Sequence, residues 1–490
     1  MKISVIIPVY NAGNFIKPTL DSLKNQTMDK SDFEILAVDD LSTDNSLEIL
    51  ESYRTDLPNL RIIKRETNSG GPMVPRNDAI EMAKGEYVQF LDNDDYLGED
   101  ALKRLYAFAT ENNSDVIFGK YKGINGRGVP KSQFLKGNIA HADIIKDNLI
   151  YTIAPHKMFR RKMLIDQDIR FETEIRPGDE DKLFVMRAYL DAKVISILSD
   201  YDYYYVVRRP GENLSVASIP QNPELHFIAQ KKVLHYIEKS RFDQAKQLDL
   251  KVAYVNRLIS FSILRASILN EKYEYQLRKK YFSAARDFFL HYVGESVISK
   301  LKKEHAIFVQ KICEDKMDEL IEFEKVSKKL NQSSDYEIDN GQIYYQMQYA
   351  NGYKERLNVS FLNKTSIYLN SVTAFKKKLY IGASLHHTLI ANDQYLICKE
   401  RTDGQEITIK AAEINAAGEA VFILPIKKLE NGLIWDLFIE SHKPIHHRRR
   451  LGKDRNLKKI NMRIDTNKYQ FTAYTTKDFD NLSIKKEKVN

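Results

Sequence analysis

Apolar runs that stop abruptly at acidic or turn-forming residues organise the first hundred positions of this chain. Ile3-Ser4-Val5-Ile6-Ile7-Pro8-Val9 gives way to Tyr10-Asn11. Phe33-Glu34-Ile35-Leu36-Ala37-Val38 ends at Asp39-Asp40, and Tyr87-Val88-Gln89-Phe90-Leu91 ends at Asp92-Asn93-Asp94-Asp95. Short runs that are apolar throughout, rather than alternating, are the pattern of strands buried on both faces. Between them the spacing turns helical: one stretch from about 12 to 26, then a second helix that Ser42-Thr43-Asp44 can cap, with Leu47, Ile49 and Leu50 on its apolar face. Strand, helix, strand, helix predicts a parallel, doubly wound α/β sheet. Ligands of such sheets sit at the carboxyl ends of the strands, so Asp40 and the cluster Asp92 to Asp95 are expected on one edge.

The pattern changes twice more. Beyond Ser218-Ile219-Pro220 apolar residues recur at helical spacing (Phe227, Val233, Leu234, Ile237; then Leu258, Phe261, Ile263, Leu264), with little Pro or Gly to about 332. After Asp335 the period falls to two: Ile343, Tyr345, Met347 and Tyr349 alternate, as do Leu433, Trp435, Leu437 and Ile439. Asn340-Gly341, Asn351-Gly352 and Asp403-Gly404 mark turns. The expected organisation is an α/β domain over 1–218, a helical region over 219–334 and an antiparallel β-sandwich over 335–490.

A pair of carboxylates closing a buried strand supplies hard oxygen ligands for Mg²⁺ or Mn²⁺, which commonly bridge a protein to a diphosphate. A second acidic pair, Glu180-Asp181, opens a stretch whose Leu183, Phe184, Met186 and Tyr189 fit a helix packed on the sheet. Acids at a helix start also suit its dipole, so this pair reads equally as general base or as N-terminal cap. Arg257 and Arg265 can offer guanidinium groups to phosphates or form a solvated helix face. The run His446-His447-Arg448-Arg449-Arg450 can grip polymer phosphates or anionic lipid, or form a hairpin tip kept soluble by charge, which is the simpler reading.

Composition narrows the partners. The 490 residues carry a formal charge of +8 and a pI near 8.9, which suits an anionic partner. No zinc-finger or RNA-binding spacing accompanies that charge, so nucleic acid is not the expected partner. Two cysteines, Cys313 and Cys398, make no disulfide framework. No apolar run approaches the length that spans a bilayer, and the expectation is a cytoplasmic protein.

The ordered blocks VIIPVYN (5–11), VDDLSTDNS (38–46), NSGGPMVPRNDAI (68–80) and GEYVQFLDNDDY (85–96) resemble the inverting family-2 glycosyltransferases of the nucleotide-sugar-binding GT-A fold. GINGRGVP (123–130), YTIAPHKMFR (151–160) and PGDEDKLFVMRAYL (177–190) are similar to the members that attach N-acetylglucosamine, in β-linkage, to the poly(ribitol phosphate) of wall teichoic acid. The resemblance implies UDP-N-acetylglucosamine as donor, a divalent metal (Mn or Mg), a lipid-linked polymer met at the inner face of the membrane, and peripheral membrane association. It also implies an immunoglobulin-like C-terminal module that assembles a homotrimer, although here the chain stops after one such unit. UDP-glucose with another polyol-phosphate or capsular polymer is the alternative within the class. A non-catalytic polymer-binding protein is the alternative outside it.

Residue by residue, the resemblance puts Pro8 and Tyr10 in the uridine pocket with Asp40 accepting from the uracil, and Asn68 and Arg76 on the Gly-Gly-Pro turn beside the donor. Asp92 and Asn93 belong to the acidic motif on the ribose and sugar, with Asp94 on the metal and Asp95 capping the next segment. Asp181 is then the general base, assisted by Glu180, and Arg209 and Ser215 close a loop over the diphosphate. Asn213 stands in that loop where a His is the expectation.

Overall fold

The computed structural model describes residues 1–175, 178–209, 222–261, 263–329, 336–339, 342–348, 352, 354–360, 366–386, 393–415, 419–441, 447–453, 460–476 and 481–488. They fall into two compact units, Met1–Asp315 and Lys316–Asn490.

The first unit is built on β1 (Ile3–Val9), α1 (Ile16–Lys24), β2 (Phe33–Asp39), α2 (Ser46–Ser52), β3 (Leu60–Lys64), α3 (Met73–Met82), β4 (Tyr87–Phe90), β5 (Tyr96–Leu97), α4 (Ala101–Glu111), β6 (Val116–Ile124), β7 (Met158–Arg160), α5 (Arg161–Asp166), α6 (Glu180–Asp191) and β8 (Ile195–Val207). Its sheet runs β3-β2-β1-β4-β7-β6-β8-β5. Every residue of β1, β2 and β4 is buried, the reason these segments are apolar on both faces. In register Ile3 lies beside Phe33 and Tyr87, so β1, β2 and β4 run parallel and point their carboxyl ends to one edge.

The expected all-parallel sheet is in fact mixed. β7 runs antiparallel to both β4 and β6, and β5 antiparallel to β8. Parallel neighbours need a crossover of a dozen or more residues, whereas β5 and β7 arrive without an α-helix between them and the strand before. The expected first helix is also shorter than 12–26. The Ala12 amide donates to Ser46 Oγ (2.7 Å) and that of Gly13 to Asp44 (2.9 Å), so the chain before Ile16 is held to the neighbouring loop instead. Asp44 does cap the second helix, accepting from the Ser46 amide at 2.9 Å.

Among the described residues six α-helices complete this unit: α7 (Pro223–Lys239), α8 (Gln244–Phe261), α9 (Ile263–Leu269), α10 (Tyr275–Phe288), α11 (Glu295–Ile298) and α12 (Lys303–Cys313). α7 starts from Asn222, whose side chain accepts from the Glu224 amide, and packs on α6.

The second unit opens with a helix, Met317–Lys329, and a three-stranded antiparallel sheet. Two further sheets, mostly antiparallel, then share one core that includes Leu379, Ile381, Phe422, Trp435, Leu437, Ile439, Phe471 and Ile484. The expected alternation holds for Trp435, Leu437 and Ile439, while Leu433 precedes the strand Ile434–Ser441 and is exposed. Gly404 takes φ +73°, as its turn requires; Asn340, Gly341, Tyr349 and Asn351 lie outside the described residues. The basic run is a strand rather than a hairpin tip. His447–Arg450 pairs antiparallel with Ile434–Ser441, Arg448 meets Glu406 (2.7 Å) and Arg450 meets Asp436 (2.6 Å), and His446 lies outside the described residues.

Glu400 anchors a turn of this unit. Its carboxylate accepts from the amides of Thr402, Asp403 (3.1 Å), Leu433 (3.1 Å) and Ile434 (3.3 Å). Burial opposes ionisation there, but the four amides outweigh it and hold the acid down at about 2, against an ordinary 4.5. A depressed acid stabilises the fold above its unfolded value, and that contribution is lost as pH falls through the folded one. Between pH 5 and 2 the wild type should therefore lose stability that Glu400→Gln has already lost at pH 7. Urea midpoints followed by emission of Trp435, the chain's one tryptophan, should converge for the two proteins as pH falls. A constant gap across that range would show that the amides do not bind the charged form preferentially.

Candidate active site

A cavity of about 530 Å³ opens at the carboxyl edge of β1, β2 and β4. All the expected site residues line it except Ser215, which lies with Asn213 outside the described residues. A larger groove, about 1,000 Å³, runs between α7 and α10, but the acids and bases with shifted acidity converge in the smaller one.

One wall is built by the ends of β1 and β2. Tyr10 is half exposed, and Asn93 donates to the Pro8 carbonyl at 3.0 Å. Asp40 is buried, accepting from the Ser69 amide (3.0 Å) and hydroxyl (2.8 Å) and pairing with Arg65 (2.9 Å). Asn68 donates to the Asp40 carbonyl (2.7 Å) and accepts from the Gly70 amide (2.9 Å), where φ is +79°. The turn is thus tied to the end of β2, and glycine is what lets it turn left-handed there.

Arg76 on α3 joins the other walls. Its guanidinium is buried, lies 5.0 Å over the Phe171 ring, and donates to Asp92 (2.8 Å) and Asp181 (2.7 Å). The guanidinium thus holds two carboxylates, one from β4's end and one from the start of α6. Asp92 is further fixed by His156 Nε2 at 3.0 Å, and its amide donates to the Tyr204 hydroxyl at 3.2 Å. His156 stacks on Tyr204 with centroids 4.6 Å apart. Burial pushes the Asp92 carboxyl up, but Arg76 and His156 overturn that and hold it well below its usual range. Burial pulls His156 down, yet Asp92 and Asp95 leave it raised.

Asp94 pairs with Arg209 at 2.6 Å, and Arg209 in turn lies over Phe15. Burial and the neighbouring Asp92 push the Asp94 carboxyl up despite Arg209, and the five carboxyl groups lining the cavity outnumber its two arginines. That surplus on carboxylate oxygens fits a divalent cation. Asp92, Asp95 and His156 form a further group whose ligand atoms lie within 4.8 Å of one another.

Asp95 does not cap the following segment as expected. Its side chain is buried and accepts from the Val207 amide at 2.8 Å across the sheet, and Asp100 stands at the start of α4. Burial lifts its carboxyl to about 7 against the pull of His156.

At the start of α6 the two acids differ. Glu180 is buried and accepts from the Gly178 amide; burial and Asp181 raise it to about 7. Asp181 is held by Arg76 and keeps 28 % of its side chain exposed. The residue preceding the helix, Asp179, bonds Lys182 (2.5 Å) and His226 (2.7 Å) instead of the helix amides.

A second cavity, about 230 Å³, shares Gly178 and Asp181 with the first. Its walls are basic: Arg127, Lys157, Lys182 and Arg257 all line it. The Arg257 Nε is buried without a hydrogen-bond partner, and burial lowers the guanidinium's pKa. Lys157 is buried against Phe118, Tyr121 and Tyr189, donates to the Ala154 carbonyl (2.7 Å) and the Tyr121 hydroxyl (3.1 Å), and burial lowers its pKa well below 10.5. Arg265, grouped with Arg257 on sequence, instead pairs with Glu304 at 3.0 Å. Sequence reasoning singled out the blocks at 123–130 and 151–160 but assigned no role to Arg127, His156 or Lys157 within them. No spacing rule points to them, because each reaches the site from a loop.

Residues 4–167 match the glycosyl transferase family 2 model. The chain is 36 % identical to the poly(ribitol-phosphate) beta-glucosyltransferase of Bacillus spizizenii, over 99 % of this chain and 78 % of that protein. It is 33 % identical to the Staphylococcus aureus poly(ribitol-phosphate) beta-N-acetylglucosaminyltransferase TarS, over 99 % and 85 %. The crystal structure of S. aureus TarS superposes with TM-score 0.72 at 30 % identity, covering 100 % of this chain and 86 % of that one. A 1–349 fragment of that enzyme in complex with UDP-GlcNAc gives 0.65 at 35 % identity, covering 73 % and 99 %.

Removing Arg76 leaves two carboxylates in a half-buried wall without their cation. Arg76→Met should cost about 3 kcal/mol, the scale for breaking a buried ion pair from one side. The triple variant Arg76→Met/Asp92→Asn/Asp181→Asn should regain much of it. Urea denaturation of both checks this, and additive losses would show that the three side chains do not act as a unit.

Proposed function

The chain belongs to glycosyltransferase family 2 as a UDP-sugar-dependent enzyme, and from that premise we propose that it transfers N-acetylglucosamine from UDP-N-acetylglucosamine, with inversion, to the ribitol phosphate units of wall teichoic acid. The observation that carries the reading is Asp181, which faces two cavities at once, one lined by the nucleotide-sugar motifs and the other by basic residues suited to a polyphosphate acceptor. The 36 % identical Bacillus relative, named a glucosyltransferase, makes UDP-glucose the second reading.

In this reading uridine sits on Pro8 and Tyr10 beside Asp40 and Asn68, and Asp92 and Asn93 hold the ribose and sugar. Asp94 would hold the divalent cation, whose chemistry is to offset charge gathering on the departing diphosphate. Arg209 and Ser215 would close over that diphosphate. The acceptor hydroxyl enters from the second cavity, opposite the leaving group, its flanking phosphates meeting Arg127 and Arg257. Asp181 takes the hydroxyl proton as the new bond forms. Glu180, held near 7, stays largely protonated below neutrality and acts as a support for Asp181, fixing the Gly178 backbone.

The remaining assignments are proposals of the same rank: a domain division at 1–218, 219–334 and 335–490, the last assembling a trimer, and work in the cytoplasm at the inner membrane face. No helix among the described residues is long and apolar enough to cross a membrane. An unchanged mass by light scattering after deletion of 335–490 would dismiss the assembly role.

The deciding experiment is a screen of UDP release with UDP-N-acetylglucosamine or UDP-glucose against ribitol phosphate and glycerol phosphate polymers. Transfer should require the ribitol polymer and favour the acetamido sugar; faster turnover of glucose would select the second reading. Asp94→Ala should abolish turnover and its response to Mn²⁺ or Mg²⁺, and full activity in chelator would rule out the metal. Asp181→Asn should lower single-turnover transfer by roughly 10²-fold or more while calorimetric donor affinity changes little. Wild-type rates in that variant would leave Asp181 as a partner of Arg76 only.

A further inference from the structure

One end of the second unit carries a concentration of positive charge that its own acids do not balance. The strands Ser366–Phe375 and Lys378–His386 are joined by a two-residue turn, Lys376-Lys377, with Phe375 paired to Lys378 across it. The Lys377 carbonyl accepts from the Ile426 amide (3.1 Å), the start of a short turn carrying Lys427 and Lys428. Lys377 Nζ lies 3.4 Å from Asn467 Oδ1, in the turn that carries Lys468. Six exposed lysines, 376, 377, 378, 427, 428 and 468, therefore share this end, against the two acids of these turns, Glu430 and Asp465. None of the six is in an ion pair among the described residues, and the three turns belong to those residues throughout.

Two features show that this is more than a solvated charge cluster. Phe375 is 62 % exposed, with Lys376 5.2 Å from its ring centroid, so a large apolar ring is held outward among ammonium groups. Lys376 and Lys377 both take positive φ, +45° and +61°. A two-residue hairpin of that conformation favours Asn-Gly, because side chains with a Cβ are strained there, yet it carries two lysines.

We propose that this end of the second unit docks on an anionic phospholipid bilayer, with Phe375 entering the headgroup boundary and the lysines meeting lipid phosphates. Lysines near an anionic leaflet are attracted to it, and aromatic rings settle at headgroup depth. A polyol-phosphate polymer would satisfy the lysines but offers no apolar layer for the ring, so the bilayer accounts for both features. This site is built from residues of the second unit alone and does not depend on the transferase reading.

The test is co-sedimentation of the full-length protein with phosphatidylglycerol/phosphatidylcholine vesicles in 0.1 M salt, beside vesicles of phosphatidylcholine alone. Wild type should bind the anionic vesicles and not the neutral ones. K376N/K377G, which installs the residues the turn prefers and so keeps the fold, should weaken partition roughly tenfold or more, since each lysine contributes about fivefold. Phe375→Ser should weaken it several-fold, and emission of the added indole in Phe375→Trp should shift to the blue only with anionic vesicles. Transfer to soluble acceptor should be unchanged in all three. Equal binding of wild type and K376N/K377G, or of wild type and Phe375→Ser, would overturn the proposal. So would loss of polymer binding in K376N/K377G, or of self-association in Phe375→Ser, with vesicle binding intact.

Discussion

A single guanidinium organises the catalytic edge of this protein. Arg76 spans Asp92 at the end of β4 and Asp181 at the start of α6, elements separated by about ninety residues of chain and brought together only by the sheet. A planar fork with fixed N–H directions holds two carboxylates in a set geometry, which the freely rotating donors of an ammonium would not impose. Because Arg76 is buried over Phe171, both acids inherit its position, and the wall they form is set by packing rather than by mobile side chains. His156 and Tyr204 extend the same arrangement behind Asp92.

The strands on which this edge rests were readable because burial leaves a simple mark. β1, β2 and β4 have no solvent face, so their apolar runs and abrupt acidic ends identified both the strands and the edge where a ligand would sit. What escaped was whatever depends on non-local geometry. The antiparallel entries of Met158–Arg160 and Tyr96–Leu97 follow from where loops return, which periodicity does not record. Asp95 has the same composition context as Asp94, yet its partner is the Val207 amide more than a hundred positions away. His156 and Lys157 come from a loop with no repeating pattern, and their importance appears only when Asp92, Tyr121 and Tyr189 surround them.

The second unit shows the same division. Alternation located Trp435, Leu437 and Ile439 in its core, while the basic run at 447–450 became intelligible only through its acids, Glu406 and Asp436, on strands elsewhere in sequence. Counting charges along a chain overstates how many are free. The unpaired lysines at the 376–377 turn stand out because most of their counterparts at 447–450 are already neutralised.

The placement of Asp181 on the boundary of both cavities bears on fidelity. With Asp181 as the proposed base, the cavity that would admit the acceptor admits water whenever no polymer is there, and water is as competent a proton donor as a sugar alcohol. Selectivity for the alcohol would then come from occupancy: the donor would be spared wasteful hydrolysis only to the extent that the basic cavity is filled by acceptor before the sugar bond weakens. On this reading the protein's economy in nucleotide sugar would depend on how tightly that small space, about 230 Å³, is stoppered.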